Sequence, residues 1–260
     1  MKVDYGIGDV APYINWIYFF HAWGTHAMPQ HDKQRLKAEA EERLQRYADR
    51  YQTHGLFVLA DVHSDGEDIV FPDVRLSLLR QQQSDSEYLC LADFVNPVAD
   101  RVGVFATSVD HGLETDFDDD PYEKMMMQLL ADRLAEATAE KMHQQVRTEW
   151  WGYAPDEHLD IQEMLNERWQ GIRPADGYPS LPDTSLNFVL DKLLYMRQIG
   201  IRLTESGAMK PHASVSGLMI SNPQARYFTV GKIGQDQLTD YARRRGLPVE
   251  LMRKFLGGNL

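Results

Sequence analysis

Apolar and polar positions follow two different periods along this chain, and each change of period marks an element. The aromatic-rich run Tyr13-Ile14-Asn15-Trp16-Ile17-Tyr18-Phe19-Phe20 predicts a short helix over 13–20, with Pro12 tolerated at its start. Residues 31–53 are densely charged, but Leu36, Ala40, Leu44 and Tyr47 form one stripe at helical spacing. That pattern predicts a solvated helix lying on a sheet and ending near His54-Gly55. The unbroken apolar run 55–60 predicts a buried strand, with 67–71 as its hairpin partner. Further strands are expected over 88–94, 101–107, 201–205, 213–221 and 225–232. The longest helical pattern covers 122–146, with Met126, Leu129, Leu130, Leu134, Ala137 and Val146 facing inward. Shorter helices are expected over 161–168 and 187–200, and the tail 236–256 reads as helix, Gly246 turn, helix.

No linker, repeat or low-complexity stretch divides the chain. The order of elements predicts one α+β domain over residues 1–260: a central, largely antiparallel twisted sheet with flanking helices.

Composition narrows the function. A net charge of -12 repels phosphate backbones and argues against general nucleic-acid binding. The same field suits a ligand with positive character. Cys90 is the only cysteine, so an internal disulfide and a cysteine-rich metal site are both excluded. No apolar run reaches the length of a membrane span, and the N-terminus lacks the layout of a signal peptide. A cytoplasmic protein is expected.

Several stretches carry candidate chemistry. In Arg173-Pro174-Ala175-Asp176-Gly177-Tyr178, the proline forces Arg173 toward an extended backbone, and Gly177 permits a conformation other residues resist. A guanidinium on so stiff a segment can fork onto a carboxylate. Glu136 and His143 are seven apart on the long helix, so both can line one cleft. Asn15, among large apolar neighbours, reads either as a polar group aimed at a ligand or as an exposed position between buried ones. Asp61-Val62-His63-Ser64-Asp65-Gly66 matches the D-x-H-x-x-G run of cobalamin-binding domains, but a strand follows at once where that motif needs a helix. A hairpin is the better reading of it. The acidic run 116–120 reads as the cap of the long helix beginning near Pro121. Arg243-Arg244-Arg245 ends the first tail helix, where cations suit the dipole, and not the second, where a DNA-reading surface would need them.

Taken together, collinear runs over nearly the whole chain resemble the activation domain of cobalamin-dependent methionine synthase. They are Tyr13-Ile14-Asn15-Trp16, Ala131-Asp132-Arg133-Leu134-Ala135-Glu136-Ala137, Trp151-Gly152-Tyr153-Ala154-Pro155, Gln170-Gly171-Ile172-Arg173-Pro174-Ala175 with Gly177-Tyr178-Pro179, Ala213-Ser214-Val215-Ser216-Gly217, and Asp240-Tyr241-Ala242-Arg243-Arg244. The resemblance implies binding of S-adenosylmethionine and reductive methylation of cob(II)alamin carried by a partner, the methionine synthase core or another corrinoid protein. A flavodoxin-like protein would donate the electron. It implies that Arg173 holds the ligand's carboxylate, that Ala175 borders the nucleoside, and that Glu136 and Glu167 lie near the amino and sulfonium end. Asn15, Gly177, Tyr178, Tyr227 and Phe228 complete the expected pocket. The domain would contribute positioning and no nucleophile of its own. Asn15 stands where the family commonly has aspartate, and Phe228 lacks the hydroxyl of the family's second tyrosine. The folate, homocysteine and cobalamin modules are absent from the sequence, which leads us to expect an activation subunit that meets its cobalamin partner in trans. A non-catalytic S-adenosylmethionine sensor is the reading from another class.

Overall fold

The computed structural model describes residues 1–25, 28–84 and 87–260. Its strands are β1 (Lys2–Gly6), β2 (Gln52–Asp65), β3 (Asp68–Val70), β4 (Arg75–Ser77), β5 (Asp100–Val109), β6 (Arg202–Leu203), β7 (Met209–Lys210) and β8 (Ser214–Met219). Six of them form one sheet in the order β4-β3-β2-β5-β8, with β1 also paired to β2. Every pairing is antiparallel. The long strand β2 holds the sheet together. One edge pairs with β5 from Thr53↔Val109 to Val62↔Asp100. The other edge is shared, with β1 opposite residues 52–56 and β3 opposite residues 63–65. β6 and β7 form a separate small ladder.

Both faces of this sheet are covered, so β5 is buried without alternation from Val102 to Val109. One face receives α5 (Pro121–Gln145), whose Met126, Leu130, Leu134 and Met142 pack with Phe57 and Phe105. Asp120 caps this helix by accepting hydrogen bonds from the Tyr122 and Glu123 amides, and Pro121 occupies its first turn. Three N-terminal helices close over the same side, α1 (Ile7–Val10), α2 (Trp16–Ala22) and α3 (Gln30–Arg46), and the short α4 (Gly112–Thr115) adds Leu113. The opposite face packs Val102, Val104, Leu218 and Ile220 against Leu190 and Leu194 of α7 (Asn187–Leu194). A third cluster joins Leu79 and Val230 to α8 (Gln235–Arg245) and α9 (Val249–Phe255). Among the described residues no helix is long and apolar enough to cross a membrane.

The mixed helical and antiparallel architecture agrees with the sequence reading, but several elements differ. Residues 88–94 do not form a strand: Leu91–Phe94 is a 3-10 turn. The Asp93 carboxylate accepts from the Cys90 amide at 2.8 Å and is forked by Arg80, and this cap overrides the apolar alternation. Residues 225–232 also form no strand: among the described residues none pairs with them in a ladder. A backbone bond from Val230 N to Pro179 O at 2.9 Å helps fix that segment while Val230 sinks into the third cluster. The charged helix stops at Arg46 and the chain enters β2 at Gln52, well before His54. β1 and β4 had no counterpart in the sequence reading; each is short and borrows its pairing from β2 or β3. His63 sits in the predicted hairpin, opposite Val70. Arg244, at the end of α8, bonds Asp240, Asp68 and Glu67, so it ties the tail to the sheet edge.

Candidate functional site

The site begins with the segment 172–176, which runs along β8 as an irregular extra strand. Ile172 exchanges two backbone bonds with Ile220, both 2.9 Å. The Leu218 amide donates to Pro174 O at 3.0 Å, and the Asp176 amide donates to Ser216 O at 2.8 Å. Gly217 makes this approach possible, since a Cβ there would lie 2.2 Å from Pro174 O. Gly177 then turns the chain with φ of +83° and brings Tyr178 around. Arg173 is thus extended, as its proline neighbour demands. Its amide donates to the Tyr227 hydroxyl at 2.9 Å, which ties the 227–229 segment to the same place.

These segments border a cleft of about 780 Å³. α5 lines it with Arg133, Glu136, Ala139 and Glu140, and α2 with Tyr18, His21 and Ala22. Glu167, Arg173, Ala175, Tyr178, Val215, Tyr227 and Phe228 also line it. Glu136 is held by Arg133 at 2.7 Å and by the Tyr178 hydroxyl at 3.0 Å. Burial pushes its carboxyl above the usual carboxylate range, although Arg133 and Tyr178 pull the other way. Burial likewise raises Glu167, against the pull of Arg173. The Tyr178 and Tyr227 hydroxyls are both pushed up to about 12, mainly by burial, so they remain neutral hydrogen-bonding groups.

Arg173 is largely buried, and Glu140 takes one end of its guanidinium. Nη1 donates to Glu140 Oε2 and to Ala139 O, each at 3.1 Å, and Nη2 donates to Glu140 Oε1. Its Cζ lies 5.5 Å from the Trp169 ring centroid, and that of the fully buried Arg147 lies 4.8 Å from the same ring. Arg147 is in turn forked by Glu157.

The structure brings seven of the nine sequence candidates to this cleft: Glu136, Glu167, Arg173, Ala175, Tyr178, Tyr227 and Phe228. Asn15 is not in the lining. Its side chain accepts from the Ile17 amide at 3.1 Å and caps α2, the helix that supplies Tyr18 and His21. Gly177 also lies outside the lining and acts through its turn. His143 does not share the cleft with Glu136. It is fully buried beside Trp169, and burial together with Arg173 and Arg147 holds its imidazole well below its ordinary pKa. Glu140 was missed by the sequence reading. Its signal was present, four residues after Glu136 and seven after Arg133, on one helical face. The segment 213–221 lies beside the cleft, with Val215 in the wall.

Residues 6–246 match the family model described as vitamin B12 dependent methionine synthase, activation domain. The chain belongs to this family. It is also similar to a crystal structure of the MetH reactivation domain bound to AdoHcy, at 36% identity and a TM-score of 0.93. That match covers 100% of this chain and 90% of the other. The fold of this activation domain, a curled antiparallel sheet with helices on both faces, is the fold of that reactivation domain.

Proposed function

We propose that the cleft binds S-adenosylmethionine and that the domain supports reductive methylation of cob(II)alamin carried by a partner module, returning a methionine synthase core to activity. The observation that carries this reading is the charge arrangement around Arg173. Two guanidiniums, Arg133 and Arg173, face three carboxylates, Glu136, Glu140 and Glu167. With the carboxylates ionised, the wall has one negative charge in excess. The ligand carries a carboxylate, an ammonium and a sulfonium, one positive charge in excess, so wall and ligand complement each other.

Each feature of the ligand has a counterpart in this wall. A largely buried guanidinium suits the carboxylate, and each charge-assisted bond there is worth roughly 1.5–3 kcal/mol. The carboxylates of Glu136 and Glu167 suit the ammonium and sulfonium. The rings of Tyr18, Tyr227 and Phe228 give the adenosine and the cationic sulfur apolar faces. Ala175, on the strand-like segment, leaves the backbone open to the nucleoside. S-Adenosylmethionine supplies an electrophilic methyl group; the protein's part is to hold and orient it and to exclude water. A flavodoxin-like donor would bring the electron.

The place of β8 favours reactivation over passive sensing. Val215 belongs to the cleft wall and to the strand that carries residues 172–176, so one rigid element joins the pocket to a surface a corrinoid-bearing module can meet. Calorimetric titration of S-adenosylmethionine against wild type and Arg173→Ala tests the pocket. Wild type should release or absorb heat on binding, and the variant should lose affinity by about tenfold or more. Equal binding by both would remove Arg173 from the site. Mixing the protein with a corrinoid protein, a low-potential reductant and the ligand should consume the cob(II)alamin absorbance. No change with a methionine synthase core or any other corrinoid protein would leave the sensor reading.

A further inference from the structure

The pairing of Arg173 with Glu140 has a consequence that depends on the geometry of a guanidinium. Its five N–H groups lie in one plane and form two forks: an end fork from Nη1 and Nη2, and a side fork from Nε and the inner Nη2 proton. Glu140 takes the end fork, and the Ala139 carbonyl takes the remaining Nη1 proton. The Trp169 ring covers the guanidinium face. Among the described residues nothing accepts from Nε, and Arg173 belongs to the cleft wall.

We infer that Glu140 is the positioning residue of the pocket: it clamps the far end of Arg173 and so turns the side fork of the guanidinium toward the ligand's carboxylate. This deepens the S-adenosylmethionine reading and rests on it. Arg173 would then bridge two carboxylates, one from α5 and one from the ligand. A long side chain gives up rotamer freedom when fixed. Glu140 and Ala139 fix it before the ligand arrives, so the ligand need not bear that cost. The helix contributes to the precision. Ala139 and Glu140 are consecutive on α5, which is packed against the sheet along much of its length. The guanidinium is therefore referenced to the core, while its own backbone hangs on β8.

Three probes separate positioning from general damage. S-Adenosylmethionine and S-adenosylhomocysteine both carry the amino-acid carboxylate, whereas 5′-methylthioadenosine has the nucleoside and sulfur without it. Each is titrated by calorimetry against wild type, Glu140→Gln and Glu140→Asp, with thermal melts confirming the fold. Glu140→Gln should weaken both carboxylate ligands by about tenfold, and 5′-methylthioadenosine by no more than about twofold. Glu140→Asp keeps the charge but withdraws it by one methylene, so it should show the same selective loss to a smaller extent. It also keeps the test alive if Glu140→Gln does not fold. Unchanged affinity for all three ligands would overturn the inference, and so would an equal loss for all three. If wild type itself prefers 5′-methylthioadenosine, or binds none of the probes, the S-adenosylmethionine reading fails first, and the role of Glu140 falls with it.

Discussion

Glu167 has a backbone that a glutamate rarely adopts. It follows α6 (Ile161–Leu165) and Asn166, at the position where helices commonly end in a left-handed glycine. Its φ is +56°, and a side chain with a Cβ costs about 1–2 kcal/mol there. The carboxylate that this conformation carries lines the cleft. Strain kept at a wall residue suggests that function outweighs stability at this position. Glu167→Gly should therefore raise the melting temperature by about 2–4 °C per kcal/mol recovered. The same variant should bind S-adenosylmethionine more weakly than wild type. A variant that is less stable, or one that binds equally well, would contradict this account. Asn15 teaches the reverse lesson. A polar residue among aromatics invited a ligand role, but a short side chain just before a helix is first of all a cap.

The pocket depends on two elements, α5 and the pairing of 172–176 with β8. What could be read from sequence was what each element does alone. The 3.6-residue stripe of α5, its proline start and the extended Arg173-Pro174 step all follow from local chemistry. The sequence did not disclose which face of α5 meets Arg173, because that is set by a contact 33 residues away in the chain. For the same reason 225–232 read as a strand: its residues have strand propensity, but a ladder needs a paired neighbour, and among the described residues none pairs with them. Gly217→Ala tests the pairing directly. The new methyl would lie 2.2 Å from Pro174 O, which must move. We expect a loss of about 1–3 kcal/mol in stability, read by urea denaturation. Affinity for S-adenosylmethionine should fall as well, since Arg173 and Ala175 ride on the displaced segment. Binding at wild-type strength would show that the segment's attachment to β8 does not set the site.

At the level of the whole molecule, the excess negative charge and the raised carboxyls of the cleft act together. Burial holds the carboxyls of Glu136 and Glu167 above their ordinary value of 4.5. A cationic ligand binds the ionised forms better, so affinity for S-adenosylmethionine should climb as pH rises above about 4.5 and then level off. The sign for stability is opposite. A carboxyl raised in the fold favours folding below its unfolded pKa, and that contribution is lost as pH rises through the folded value. Neutral 5′-methylthioadenosine should show no such climb, and a parallel climb for both ligands would assign the pH effect to the fold and not to the cleft charges. The acidic balance, visible in composition alone, agrees with a positively charged ligand. Composition could not place that charge, because the excess at the cleft is one unit within a surplus of twelve.

Trp169 lies beneath the guanidiniums of both Arg147 and Arg173, and only Arg173 reaches the cleft. Indole emission responds to the electric field across the ring, so any event that recharges or shifts Arg173 is written into the light this one side chain emits. The protein thus carries its own optical gauge, and a Trp169→Phe variant would be blind to the signal even while its other four tryptophans still fluoresce.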